Sequence, residues 1–289
     1  MRPVAADPAS GPARLLELDP DEARRKYGRE AFAFRHNLVD HPLFTLDALG
    51  DFADSLPAEL VDHNLGAVPV ANPGGEAPRV DLTPGEIVRG IETNGCWIAL
   101  PRVESMPGYK DVYEALIDEI APYLPGGKDS IRNRHSVVFM SAPKGVTPIH
   151  VDPEHGMLLQ FRGTKSISVG EFPDEGRRER ELERFFSGGH ENIADVPESP
   201  TEYRMAPGDV VHLPPLLPHW VENDDNVSIS LSVGFRVPEI IRIGRAYSFN
   251  ARLRRLGLDP TAPGRRPRLD GAKAAAMRTV SSVRGLVRR

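Results

Sequence analysis

From Ile131 onward the apolar residues of this chain recur at every second position, in short runs separated by proline- and glycine-rich turns. The runs are Ser136–Met140, Met157–Phe161, Lys165–Gly170, Glu202–Met205, Val210–Leu213, Trp220–Glu222 and Val227–Phe235. Successive side chains of a strand point to opposite faces, so this period marks strands with one face buried. Seven of them within about 105 residues predict a sandwich or a barrel.

The flanks read differently. Asp19 and Asp21 open a short helix through Glu-Ala-Arg-Arg-Lys-Tyr-Gly28, and the apolar spacing at 46, 49, 52, 53 and 56 predicts a helix that Pro57 stops. Thr83-Pro84-Gly-Glu86 carries Thr as N-cap, Pro at the first position and Glu at the third. Cys96–Leu100 reads as a strand and Tyr109–Tyr123 as an amphipathic helix. Phe172–Pro200 is a charged insertion with a helix around Glu179–Phe186, and helical spacing returns from Ile240 to Leu256. A Pro/Arg-rich linker, Pro260–Arg268, leads to a last basic helix with Met277, Val280, Val283 and Val287 on one stripe. The resulting division is a mostly helical region over 1–95, a β core over 96–238, and C-terminal helices with a basic tail over 239–289. Residues 1–13, rich in Ala, Pro and Gly, are expected to be disordered.

Composition removes several classes. A single cysteine, Cys96, excludes an internal disulfide framework and a cysteine-rich zinc site. No apolar run approaches the roughly 20 residues of a membrane span, and the N-terminus lacks the apolar segment of a secretory signal, so a cytoplasmic setting is expected. After Asn250 the charge inverts: 251–289 hold 11 basic and 2 acidic residues, whereas 1–250 hold 25 and 39. The basic tail is read first as a docking or homodimerisation helix, with binding to anionic lipid and an exposed solubilising tail as alternatives; without interleaved aromatics, nucleic acid is disfavoured.

The chemistry is concentrated in Thr147-Pro-Ile-His150-Val-Asp152-Pro-Glu-His155. In a strand His150 and Asp152 share a face, and a second imidazole, His219, follows the segment Pro207-Gly-Asp209 through Pro218. Two imidazoles and one carboxylate are the facial set of non-haem Fe(II) enzymes, which leaves metal positions open. Lys165 stands fifteen residues after His150, and a lysine buried in a barrel calls for an anion.

Residues 131–236 resemble the jumonji-C and cupin-8 group of Fe(II)/2-oxoglutarate oxygenases, which includes the asparaginyl hydroxylase acting on hypoxia-inducible factor. The residues that carry the resemblance are Thr147, His150, Asp152, Lys165, Pro207-Gly-Asp209 and His219, in that order and spacing. The resemblance implies a mainly β fold, a double-stranded β-helix of the cupin or jelly-roll kind. It implies Fe(II) on His150, Asp152 and His219, 2-oxoglutarate with its far carboxylate on Lys165 and Thr147, and O2 as oxidant. The implied activity is hydroxylation of a C–H bond in an amino acid, a peptide or protein side chain, or a natural-product intermediate. The alternatives are a metal-binding regulatory cupin without catalysis and a jumonji-type N-demethylase. Two positions depart from the family: Gly156 and Gly234 stand where relatives often carry Asn, which removes side-chain donors near the C1 carboxylate of 2-oxoglutarate.

The remaining candidates have plainer readings. His155 is placed in a loop at the mouth of the site or in solvent, and His135 and His212 in the core. Trp220 is read as packing, Arg162 and Arg236 as rim ion pairs, Glu171 and Asp174 as solvated turn residues, and Cys96 as buried and inert. The alternating Ser228, Ser230 and Ser232 face either solvent or the cavity.

Overall fold

The computed structural model describes residues 14–287, with side chains described as far as Thr279. Residues 1–13, expected to be disordered, and the side chains of the stripe positions Val280, Val283 and Val287 therefore lie outside what is described.

Eight consecutive strands form the core. They are β5 (Arg132–Ser141), β6 (Val146–His150), β7 (His155–Arg162), β8 (Lys165–Val169), β9 (Thr201–Met205), β10 (Asp209–Leu213), β11 (His219–Asn223) and β12 (Ser228–Arg236). They divide between two antiparallel sheets, β10-β7-β12-β5 in one and β6-β11-β8-β9 in the other. This is the double-stranded β-helix, and all seven runs read from the alternation fall in it.

The N-terminal part supplies more than helices. β4 (Cys96–Pro101) and β3 (Asp62–Leu65) extend the first sheet beyond β5, and β2 (Phe32–His36) and β1 (Leu16–Glu17) extend it beyond β10. β2 alternates clearly, with Phe32, Phe34 and His36 buried and Ala33 and Arg35 exposed. Its register sets Phe34 opposite Val210 and Arg35 opposite Asp209, where the two charges meet at 2.7 Å.

Strand parity sorts the side chains of the eight-stranded sheet. On its outer face Val138, Met140, Met157, Leu159, Leu231 and Val233 pack against α2 (Leu46–Ser55), α3 (Pro84–Arg89) and α4 (Tyr109–Ile120) in the largest apolar cluster. The helix starts follow the expected caps. The Thr83 hydroxyl accepts from the Glu86 amide, and the Glu86 carboxylate accepts from the Thr83 amide at 2.8 Å. The inner face looks into the cavity between the sheets.

The C-terminal helices close the other side. α5 (Glu175–Phe186) and α6 (Pro238–Arg255) bury Leu182 and Tyr247 against Val151 and Leu216, directly behind the turn that carries Asp152. α7 (Pro267–Val287) packs along α6, with Met277 buried and Lys273 donating to the Thr261 carbonyl at 2.6 Å. No helix among the described residues is long and apolar enough to cross a membrane.

Candidate metal centre

His150 and His219 are direct cross-strand partners, one ending β6 and the other opening β11. Their rings lie 4.2 Å apart, centre to centre. Asp152 follows in the turn after β6, which is fixed when the Leu216 amide donates to the Asp152 carbonyl at 2.7 Å. Leu216 adopts a left-handed backbone, φ 67°, in the Pro-Pro-Leu-Leu turn, and so folds that loop back onto the Asp152 turn. The Asp152 Oδ2 atom then stands 3.7 Å from Nε2 of both histidines.

The ring orientations follow from two further hydrogen bonds. Nδ1 of His150 is 2.7 Å from the Pro148 carbonyl, and Nδ1 of His219 is 3.0 Å from the Leu217 carbonyl. A carbonyl only accepts, so each Nδ1 carries a hydrogen and each ring turns its Nε2 toward Asp152. The three ligand atoms all lie within 4.8 Å of one another. Two imidazole nitrogens and one carboxylate oxygen, on one side of an open cavity, fit a divalent iron with positions left for other ligands.

The electrostatics favour that state. Burial, then the neighbouring His150, push His219 down to about 4. Burial alone would raise the Asp152 carboxyl, but His150, His219, His135 and Arg236 outweigh it and hold it below its ordinary range. Near neutral pH the set is thus one neutral imidazole at His219 and an ionised carboxylate, the forms that bind metal.

The cavity has a volume of about 300 Å³ and runs between the sheets. Thr147, Lys165, Ser228, Ser230 and Ser232 line it together with the three ligands. The serine face of β12 therefore looks inward. Lys165 pairs with Asn223, four residues along β11 from His219, which places its backbone roughly 13 Å from the ligand row. Its side chain is 3% exposed, and its ammonium donates to the Ser230 hydroxyl. Ser230 donates in turn to Gln160 at 2.9 Å, and the Gln160 amide is held by the Arg162 and Gly163 carbonyls. No carboxylate among the described residues pairs with Lys165, and burial pushes its ammonium down to about 7. Gln160 went unnoticed in the sequence, where it is one polar residue inside an apolar run.

Three histidine readings divide. His212 is a satisfied core residue: it accepts from the Gly28 amide and donates to the Gly156 carbonyl, both at 2.9 Å. His155 is not in a loop or in solvent. It begins β7 on the outer face, 6% exposed, stacked near Tyr27 and Phe235, and burial drives it down to about 4. His135, expected in the core, lines the cavity instead. Its parity matches Val137, Phe139 and Ser141, all inward on β5.

The other expectations meet simple partners. Arg162 pairs with Glu92 at 2.8 Å and Arg236 with Glu154 at 2.6 Å. Trp220 packs with Ile149 and Ile193, Asp174 caps α5, Glu171 is exposed, and Cys96 is buried.

Residues 128–243 match the family model of the JmjC domain. No curated protein matches the sequence. Among solved structures the fold is similar to that of YcfD from Escherichia coli, with a TM-score of 0.51 and 20% identity over 91% of this chain and 67% of that one. A second structure, described as the Escherichia coli ribosomal oxygenase YcfD, aligns with a TM-score of 0.50 and 20% identity over 91% of this chain and 66% of that one. A third, YcfD in complex with cobalt and 2-oxoglutarate, gives 0.50 and 19% over the same shares. The chain thus spans about two thirds of the length of these proteins, and at this identity the likeness is one of fold.

Proposed function

We propose that this chain, a member of the JmjC/cupin group of 2-oxoglutarate oxygenases through its JmjC domain at 128–243, hydroxylates a C–H bond of a small molecule or of a polypeptide side chain. The observation that supports this most is Lys165. Among the described residues it is the sole Lys or Arg lining the cavity, it is buried with no anionic partner among them, and it shares the cavity with a convergent His-Asp-His set. A buried cation without a counter-charge is costly, and a dicarboxylate reaching from the metal to Lys165 supplies one.

In this reading His150, Asp152 and His219 hold Fe(II), and Lys165 and Thr147 bind the far carboxylate of 2-oxoglutarate. When bound, iron, 2-oxoglutarate and O2 supply the oxidising chemistry, one oxygen atom entering the C–H bond and the other entering succinate as CO2 leaves. The chain's part is positioning. The Pro148 and Leu217 carbonyls fix the two rings, and the Leu216 amide fixes the Asp152 turn. Gln160 fixes Ser230, which steers the Lys165 ammonium. Trp97, Val137 and Phe139 form an apolar wall that limits water around the reacting group.

The Escherichia coli protein of similar fold is a ribosomal oxygenase, which keeps polypeptide side chains among the substrates to test here. Homodimerisation through α6 and α7, and a cytoplasmic location suited to the single buried thiol of Cys96, belong to the same proposal. The test is succinate release with Fe(II), ascorbate and 2-oxoglutarate, screened against peptide and small-molecule pools. Substrate-stimulated succinate with a mass gain of one oxygen atom supports the reading. Failure of the protein to bind Fe(II) and 2-oxoglutarate at all would refute it.

A further inference from the structure

Two imidazoles outside the metal set line the cavity, His135 and His190, and His190 is engaged, accepting from the Asn192 amide at 3.1 Å. His135 faces inward from β5, half-buried, and its ring makes no hydrogen bond to any described residue. It lies near enough to Asp152 and Glu154 for its charge to act on both. Several other donors around the ligands are engaged, whereas the Thr147 and Ser232 hydroxyls, like His135, make no hydrogen bond to a described residue. Arg236 is held by Glu154, the two ligand Nδ1 atoms by backbone carbonyls, and Lys165 by Ser230.

The space for that ring is made across the ladder. His135 and Gly234 are direct partners on β5 and β12. A Cβ at 234 would stand 2.3 Å from Cε1 of His135 and 2.9 Å from each ring nitrogen. The imidazole therefore lies over bare backbone. Gly234 is not among the glycines with positive φ, so this position does not need glycine for its backbone angles. It needs glycine for the ring. An inward-facing donor with no protein partner, kept beside a carboxylate-bearing metal set, is suited to an acceptor-only ligand.

We propose that His135 is a co-substrate-binding residue whose ring N–H donates to the metal-proximal carboxylate of 2-oxoglutarate, with Gly234 clearing the place in which the ring lies. The inference rests on the oxygenase reading above.

The test is anaerobic titration of the Fe(II)-loaded full chain with 2-oxoglutarate, followed by the visible charge-transfer absorbance of the bound 2-oxo acid, with Fe(II) affinity measured separately. The wild-type protein is the control: if it binds neither ligand, the oxygenase reading itself fails. If it binds both, His135→Ala is expected to weaken 2-oxoglutarate by roughly ten- to hundredfold, the worth of one hydrogen bond to a charged group, with Fe(II) affinity unchanged. Gly234→Ala should do the same with His135 intact, because the added methyl group evicts a movable ring rather than backbone. His135→Gln should recover part of the affinity, as should His135→Ala combined with Gly234→Asn, which returns an amide donor from the opposite strand. Unchanged 2-oxoglutarate affinity in His135→Ala or Gly234→Ala overturns the proposal. So does an equal loss of Fe(II) affinity, which would make the ring a support for Asp152 instead.

Discussion

Replacing Lys165 by methionine keeps most of the stem's volume and removes the ammonium. The structure gives opposite consequences for the free and the liganded protein. In the free protein burial lowers the ammonium from 10.5 to about 7. Between those values the unfolded chain holds a proton that the folded chain has released, so stability rises with pH across that window and is lowest below about pH 7. The full penalty, about three and a half pKa units, is on the order of 5 kcal/mol. Lys165→Met should therefore raise the melting temperature of the unliganded protein, most of all at pH 6. With 2-oxoglutarate bound, the ammonium has a carboxylate partner and its pKa returns upward. Binding above pH 7 must then take up a proton, and affinity should fall about tenfold per pH unit above 7. Calorimetric titration of the Fe(II) protein under anaerobic conditions, in two buffers of different ionisation enthalpy, counts that proton. The expected result is roughly one proton taken up at pH 8.5 and almost none at pH 6. In Lys165→Met the uptake should vanish, and affinity should drop by about a hundredfold or more, from 3–5 kcal/mol for a buried charge left unpaired. Absence of proton uptake by the wild-type protein at pH 8.5, or wild-type affinity in the variant, refutes the reasoning.

Three further outcomes follow from the same geometry. His150→Ala or Asp152→Ala should abolish stoichiometric Fe(II) or Co(II) binding while the circular dichroism spectrum is kept, because the core is built from strands and not from the metal. Thr147→Val should weaken 2-oxoglutarate by about 1–3 kcal/mol in the anaerobic titration, with metal affinity unchanged, since the hydroxyl is a donor and not a ligand. A chain ending at Leu258 should keep 2-oxoglutarate turnover but melt earlier, because α7 packs along α6, Asn250 of α6 donates to the Thr261 carbonyl at 3.0 Å, and α6 backs the Asp152 turn; loss of turnover at unchanged melting temperature would contradict this.

The core was legible because one face of each strand is apolar, and alternation reports that directly. β2 carried the same signal in Phe32-Ala-Phe-Arg-His36 but is short and isolated among helices. β3 carried none: Asp-His-Asn-Leu has no apolar alternation, and what makes it a strand is its pairing with β4, from Asp62 opposite Ala99 to Leu65 opposite Cys96. Such a strand is fixed by its neighbour's hydrogen-bonding edge and not by its own composition.

The site divides along a similar line. Thr147, His150, Asp152, Lys165 and His219, which the structure brings to one cavity, could be singled out in the sequence because their spacing is tied to the chemistry proposed for them. Of the other histidines, His212 lies in the core as expected, and His155 and His135 depart from expectation where parity, and not composition, decides. His155 and His212 are both apolar-run histidines on the outer face of the sheet, and His135, in an equally apolar run, is inward. One residue of register separates a core imidazole from one beside a metal, and register is set by cross-strand partners that the sequence does not display. The partner that decides for His135 is Gly234, ninety-nine positions later. In the sequence that glycine reads only as a missing side chain. Against β5 it is the gap that lets an imidazole lie inside the cavity, so what looked like a lost donor on β12 is the condition for a donor on β5.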